Sequence, residues 1–279
     1  MADGGLLNSS LFKRVAVAVI FVPLLLWIFA VRGIPLFVFT LFVTLVGQWE
    51  LFGMLGKLAP VPHRIVSYLS GFLLVSDAYF LSSTYFTAII IAVVMSTFLI
   101  EIISGFEYRL NVVSYTVFTA VYPAALISYL LKIETLNSSV FAAHYSKLFI
   151  FFAITIWMFD SASYFAGKFF GKHRFFPKIS PKKTLEGFIG GVSGALLTGL
   201  AAAFLIDQSL LIHFMGIALA VALFSQAGDL SESIIKRSTG IKDSSKIIPG
   251  HGGILDRFDS LIFAAPALYA YLYLLSCFS

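Results

Sequence analysis

Along the chain, apolar residues gather into runs of about 17 to 25, the length that crosses a bilayer as a helix. Nine such windows follow one another, at 15–31, 34–55, 65–82, 86–104, 112–131, 147–167, 184–206, 211–230 and 258–278. Most polar connections between them are short, and two are not. One runs from Lys168 to Lys183 and is basic and aromatic; the other runs from Ser231 to Arg257. The pattern predicts an all-α polytopic membrane bundle of about nine transmembrane helices forming a single membrane-embedded domain over 1–279. Helices one to five (1–145) would supply packing and a lipid cavity, and helices six to nine (146–279) would carry the two polar loops.

Composition agrees. Of 279 residues, 59% are hydrophobic and 12% charged, against about 45–50% and about 25% in soluble proteins. Lys13 and Arg14 precede the first window as in a signal peptide, but no small-residue cleavage site follows within Phe29–Pro35, so this segment is read as a retained helix. Positive charge collects in cytoplasmic loops. With an inside amino terminus, 16 of the 19 Lys and Arg residues fall inside, leaving only Arg32, Lys132 and Lys147 outside. The expected topology therefore has the amino terminus in the cytoplasm and the carboxyl terminus outside, with both polar loops on the cytoplasmic face. The net charge of +5 sits beside membrane spans and suits anionic lipid or phosphate rather than nucleic acid. Cys277 is the single cysteine, which leaves no intrachain disulfide, no Cys-based metal site and no redox chemistry.

Between Asp229 and Asp259 lie four aspartates, one glutamate, five Lys or Arg and one His, flanked by two apolar windows. Carboxylates in lipid cost several kcal/mol, about 2.5–3.5 for Asp at mid-span, and so line a polar cavity or pair. Glu50, Glu101, Asp160 and Asp229 fall toward the cytoplasmic ends of their predicted helices and Asp77 toward the other side; Glu50, Glu101 and Asp77 suit helix pairing as well as a cavity. Asp256 and Asp259 share a face if a helix starts near Leu255, and Asp229 is expected to end the preceding helix. Three carboxylates can then converge. Such hard oxygen ligands suit Mg2+, which takes one or two protein carboxylates and fills its shell with water and phosphate; zinc lacks its ligands here.

Gly250, Gly252 and Gly253 surround His251 and precede a predicted helix, so backbone N–H groups and the positive helix end form an expected phosphate cradle. Ser180-Pro181 reads as an N-cap with proline at the first helical position, followed by Lys182, Lys183 and Thr184, a second anion site. Gly187, Gly190, Gly191 and Gly194 make small-xxx-small spacings that serve close helix packing or a homodimer.

The run Ser233-x-Ile235-Lys236-Arg237, four residues, Lys242-Asp243-x-Ser245-x-x-Ile248-Pro249-x-His251-Gly252-Gly253-Ile254-x-Asp256-Arg257-Phe258-Asp259 covers 27 positions and resembles the signature of phosphatidate cytidylyltransferases, or CDP-diacylglycerol synthases. Ser180-Pro-Lys-Lys-Thr184-x-Glu186-Gly187 and Gly228-Asp229-Leu-x-Glu232-Ser233 resemble further segments of that family, and the motif-bearing resemblance spans about residues 160 to 260. It implies transfer of a cytidylyl group from CTP to phosphatidate at the cytoplasmic face of a bacterial inner membrane, with Mg2+ and one or two cation positions. Asp229, Asp256 and Asp259 would hold metal. Lys182, Lys183, Lys236, Arg237 and Arg257 would neutralise phosphates, and His251 would contact phosphate or organise its loop. Ser180, Thr184, Glu186, Ser233, Lys242, Asp243, Gly252 and Gly253 complete the expected substrate-binding set. Two alternatives stand beside this reading. An ion-coupled transporter also uses intramembrane carboxylates, and a CTP-using phosphotransferase could act on another lipid acceptor.

Overall fold

The structure, a computed structural model, describes residues 19–58, 63–105, 110–136, 141, 144–245, 247–248 and 252–278. Its helices are α1 (Val19–Val31), α2 (Gly33–Leu55), α3 (Arg64–Phe80), α4 (Phe86–Ser104), α5 (Leu110–Ile127), α6 (Tyr129–Thr135), α7 (Tyr145–Phe170), α8 (Leu185–Leu205), α9 (Leu211–Ser238) and α10 (Leu255–Phe278). Among the described residues, seven helices are long and apolar enough to cross a membrane, with α5 and α6 counted as one span, Leu110–Thr135. The windows at 15–31 and 65–82 hold the shorter α1 and the 17-residue α3. The chain is an all-α polytopic bundle, since an uninterrupted helix satisfies its own backbone hydrogen bonds in lipid.

Two groups of helices meet. In one, α2, α3 and α5 pack together, and the buried Gln48 of α2 fastens them by donating Nε2–H to Ser67 O on α3 (2.8 Å) and to Thr119 O on α5 (3.3 Å). In the other, α7 packs along α8, and α9 lies between α8 and α10. Helix α10 also touches α2, α5 and α6, so it joins the two. Two intramembrane acids outside the polar loops serve this packing. Glu101 lies 2.7 Å from His63 Nε2, joining α4 to the start of α3, and Asp77 accepts from Tyr85 N at 3.0 Å.

The glycines of α8 are spent inside the chain. A Cβ on Gly187 or Gly191 would run into Ser163 of α7, and one on Gly190 or Gly194 would run into Ala166 or Ala162. Their absence of side chain lets α7 and α8 approach closely, which is the packing role of the stripe.

The structure departs from the sequence reading in two places. Helix α9 does not end at Asp229 but continues to Ser238, carrying Lys236 and Arg237 as helical residues. The Glu232–Lys236 pair at i,i+4 and the two cations in the last turn favour that extension. Ser180-Pro181 is not a helix start. Ser180–Thr184 is a strand, β2, paired antiparallel with β1 (Arg174–Phe176), and α8 begins after it with Thr184 as N-cap, its Oγ1 accepting from Gly187 N at 3.1 Å. The hairpin is pinned by Phe175 stacked on Phe188 of α8, ring centroids 5.1 Å apart.

Replacing Gly191 with Leu should destabilise the α7–α8 contact by about 1–3 kcal/mol, as overpacking does, and lower the melting temperature in detergent without changing the oligomeric mass. A stable variant of altered mass would move the stripe to an intermolecular role.

Candidate active site

Helices α7, α8, α9 and α10 and strand β2 enclose a cavity of about 640 Å³. Helix α9 contributes Gln226, Asp229, Glu232 and Lys236, spaced three, three and four apart, hence one stripe along its polar end. Helix α7 contributes Asp160, Ser163, Tyr164, Gly167 and Lys168 from one face, strand β2 contributes Ser180, Lys182, Lys183 and Thr184, and α10 contributes Asp256, Arg257, Asp259 and Ser260. Asp243 reaches in from the loop between α9 and α10. Close approach of α9 to α10 requires Gly228, where a Cβ would collide with the backbone carbonyl of Asp259.

The wall carries five cations, Lys168, Lys182, Lys183, Lys236 and Arg257, against six carboxylates, Asp160, Asp229, Glu232, Asp243, Asp256 and Asp259. Several are already paired. Lys183 forms an ion pair with Asp229, and Lys236 donates to Glu232 Oε2 (2.5 Å) and to Asp256 Oδ1 (2.6 Å). Lys182 and Arg257 make no ion pair among the described residues, which leaves them free to meet an anion. Asp160, Asp229 and Asp259 stand within mutual electrostatic reach. Ser163 Oγ, Gln226 Nε2 and Glu232 Oε1 are buried on the wall without hydrogen-bond partners among the described residues.

The loop that closes the cavity is held from an unexpected direction. Glu50, buried on α2, accepts from Ile254 N (2.8 Å) and Ser245 Oγ (2.6 Å) on Oε1, and from Leu255 N (2.8 Å) on Oε2. Ser244 Oγ lies 2.9 Å from both Glu50 Oε2 and Asp256 Oδ2. Asp256 Oδ2 also accepts from Ser244 N (2.9 Å) and Gly253 N (2.8 Å). At the start of α10 the N–H groups of Gly253, Ile254 and Leu255 are taken by the chain's own carboxylates, while Gly250 and His251 of the expected phosphate cradle lie outside the described residues. Gly252 is needed at its position for another reason, a φ of 83° that other residues rarely adopt.

The expected convergence of Asp229, Asp256 and Asp259 also changes. Among the described residues no group of three His, Cys, Asp or Glu side chains is placed to hold a metal ion. Asp256 is engaged by Lys236 and the loop, whereas Asp229 and Asp259 keep company with Asp160.

Of the remaining expected residues, Ser233 Oγ lies 3.5 Å from Asp229 Oδ1. Arg237 points to the hairpin, donating Nε–H to Ile179 O at 3.3 Å, which ties the end of α9 to the turn between β1 and β2. Glu186 braces the hairpin base through Lys172 N (3.1 Å) and His173 Nδ1 (2.6 Å). Lys242 is exposed. Gly250 and His251 lie outside the described residues. Ser163 and Gln226 are missed by the sequence reading, and Asp160, Glu232 and Glu50, though noted there, are given no site role. The polar spacing along α7 and α9 contains a signal for the first four; nothing near Glu50 in sequence points to residues some 200 positions away.

Replacing Glu50 with Gln keeps the shape but turns an NH2 group toward N–H and O–H donors, so the clamp should lose about 1–3 kcal/mol. Faster amide hydrogen exchange at Gly253, Ile254 and Leu255, with the helices elsewhere still protected, is the expected result; unchanged exchange would show that the loop is held by something else.

Comparison with known proteins identifies the family. The sequence profile described as "Cytidylyltransferase family" matches residues 12–275. The chain is 35% identical over 280 residues to the phosphatidate cytidylyltransferase of Bacillus subtilis (strain 168), covering 96% of this chain and 98% of that protein. It is 48% identical over 116 residues to the Staphylococcus aureus (strain COL) protein of the same name, 41% of this chain and 45% of the relative. It is also 42% identical over 164 residues to that of Aquifex aeolicus (strain VF5), 58% of each chain. A cavity built from the signature residues, inside a bundle matched from end to end by such a relative, leads to one assignment: the chain belongs to the cytidylyltransferase family.

Proposed function

We propose that this membrane protein transfers the cytidylyl group of CTP to phosphatidate, giving CDP-diacylglycerol and pyrophosphate. The observation that carries the reading is the single cavity in which the signature residues of α9, α10 and β2 meet, with cations for phosphates set among carboxylates. The family match and the names of the relatives favour it over the transporter reading and over another lipid acceptor. The positive-inside count supports a cavity that opens to the cytoplasm.

The acceptor is a phosphate monoester with a second pKa of about 6, so at neutral pH it is an anionic nucleophile and no base need be supplied. Its oxygen attacks the α-phosphorus of CTP. The new P–O bond forms as the bond from that phosphorus to the bridging oxygen breaks, and pyrophosphate departs with the electron pair. The protein's part is positioning and charge stabilisation. Lys182, Lys183 and Arg257 would take the phosphates of the two substrates, and Lys236, held by Glu232 and Asp256, would face the departing pyrophosphate. Arg237 and Glu186 would act through the hairpin that carries Lys182 and Lys183.

The wall fits a divalent cation by its chemistry. It offers hard oxygen ligands, and with six carboxylates against five cations it has no positive excess to meet a triphosphate. Asp229 and Asp259 would hold the cation, with water and substrate phosphate completing its shell, Mg2+ being the best match. When bound it would neutralise charge on the CTP phosphates.

Purified protein in detergent should release pyrophosphate only when CTP, phosphatidate and a divalent cation are all present, and EDTA should abolish release until Mg2+ is restored in excess. Asp229→Asn and Lys236→Ala should each lower kcat by about 100-fold or more while the protein still elutes as a single folded species. Release that persists without phosphatidate, or with Asp229→Asn near the parental rate, would overturn the assignment of acceptor or of that residue.

A further inference from the structure

The reaction requires a diacyl lipid to place its phosphate in a polar cavity while its tails stay in the bilayer. A second cavity, about 660 Å³, lies between α4 and α5 and is lined by apolar side chains of both helices, among them Val94, Phe98, Val117 and Phe118, with Ser114 and Tyr122 as its polar members. Tyr122 is 9% exposed, and its hydroxyl has no hydrogen-bond partner among the described residues. The same hydroxyl is within electrostatic reach of Asp259 and Glu232, which line the polar cavity. Its ring packs on Phe263, one helical turn beyond Asp259 on α10, with centroids 6.1 Å apart. One side chain therefore lines the apolar groove and packs on the helix that carries Asp259. Another apolar groove, about 400 Å³ between α1 and α2, carries no ionisable side chain.

A buried hydroxyl without a partner costs about 1–3 kcal/mol, and a polar group inside a membrane span is a functional candidate for that reason. A groove that carries such a group on an otherwise apolar wall suits a ligand that is apolar along most of its length and polar at one point.

We propose that the α4–α5 groove holds one acyl chain of the lipid acceptor, with Tyr122 on its wall donating its hydroxyl hydrogen to an ester or phosphate oxygen of the headgroup. The inference rests on the proposed phosphatidate reaction and adds where the lipid is held. Val117, partly buried, lines the groove, so a larger side chain there would narrow it.

Initial rates of pyrophosphate release would be measured with dioleoyl and with dihexanoyl phosphatidate in the same detergent, for the parental protein and for Val117→Trp and Tyr122→Phe. Val117→Trp should raise KM for the long-chain lipid about tenfold while leaving KM for CTP and the rate with the short-chain lipid unchanged. Tyr122→Phe should lower kcat/KM for both lipids about tenfold with KM for CTP unchanged. Val94→Trp, from the facing helix, repeats the first test should Val117→Trp not fold. Equal losses on long and short lipids with the tryptophan variants, unchanged kinetics with Tyr122→Phe, or a change in oligomeric mass, which would make the groove a contact with a second copy, would each overturn the inference. A parental protein that releases no pyrophosphate with either lipid would instead overturn the proposed function on which it rests.

Discussion

One buried carboxylate, that of Glu50, holds the start of α10 and the loop before it against α2. A helix start leaves N–H groups unpaired, and in a membrane protein each unpaired group is expensive. Glu50 answers with both oxygens, meeting two backbone N–H groups and two serine hydroxyls. A negative charge at the positive end of a helix is favoured, so the ion and the helix end stabilise each other. From there the chain of contacts passes through Ser244 to Asp256, from Asp256 to Lys236, and from Lys236 to Glu232. The first part of the molecule therefore fixes the position of groups that lie in the last part.

That chain explains why the cavity wall is stable before any substrate arrives. Asp256 and Glu232 share one lysine, and Lys183 covers Asp229. Breaking a buried pair from one side leaves an uncompensated charge. In the proposed reaction a phosphate that drew Lys183 away would leave Asp229 beside Asp160 and Asp259 with no cation of its own, and carboxylates neutralised by a divalent ion would leave Lys183 free for phosphate. Metal and nucleotide would each remove the other's obstacle, which is a reason for them to bind as a complex.

The bundle was legible because lipid imposes a simple rule: long apolar runs become helices, and every one of the nine windows contains one. The site was legible where its residues lie close in sequence, as in the spacing of Asp256 and Asp259. Three features were hidden for physical reasons. Polar residues in the last turns of α9 look like loop, yet Glu232–Lys236 and the helix dipole keep them helical. Ser180-Pro181 carries a helix-start signal, but Thr184 competes as the cap, and the Phe175–Phe188 stack favours a hairpin. Glu50 sits alone among apolar neighbours, and only the tertiary fold brings its partners to it.

The glycine-rich turn of the signature shows how a local signal can be answered from within the chain. Such a turn before a helix suits an anion, and at Gly253, Ile254 and Leu255 the anions are Glu50 and Asp256. With those N–H groups taken, the proposed nucleotide site would draw its positive charge from side chains of β2, α9 and α10. Side-chain cations can move as charge shifts toward the leaving pyrophosphate, whereas backbone N–H groups at a helix start cannot. Fixing the loop with two carboxylates, Glu50 and Asp256, would leave the cavity's cations for substrate and so separate the work of holding the site from the work of stabilising its changing charge.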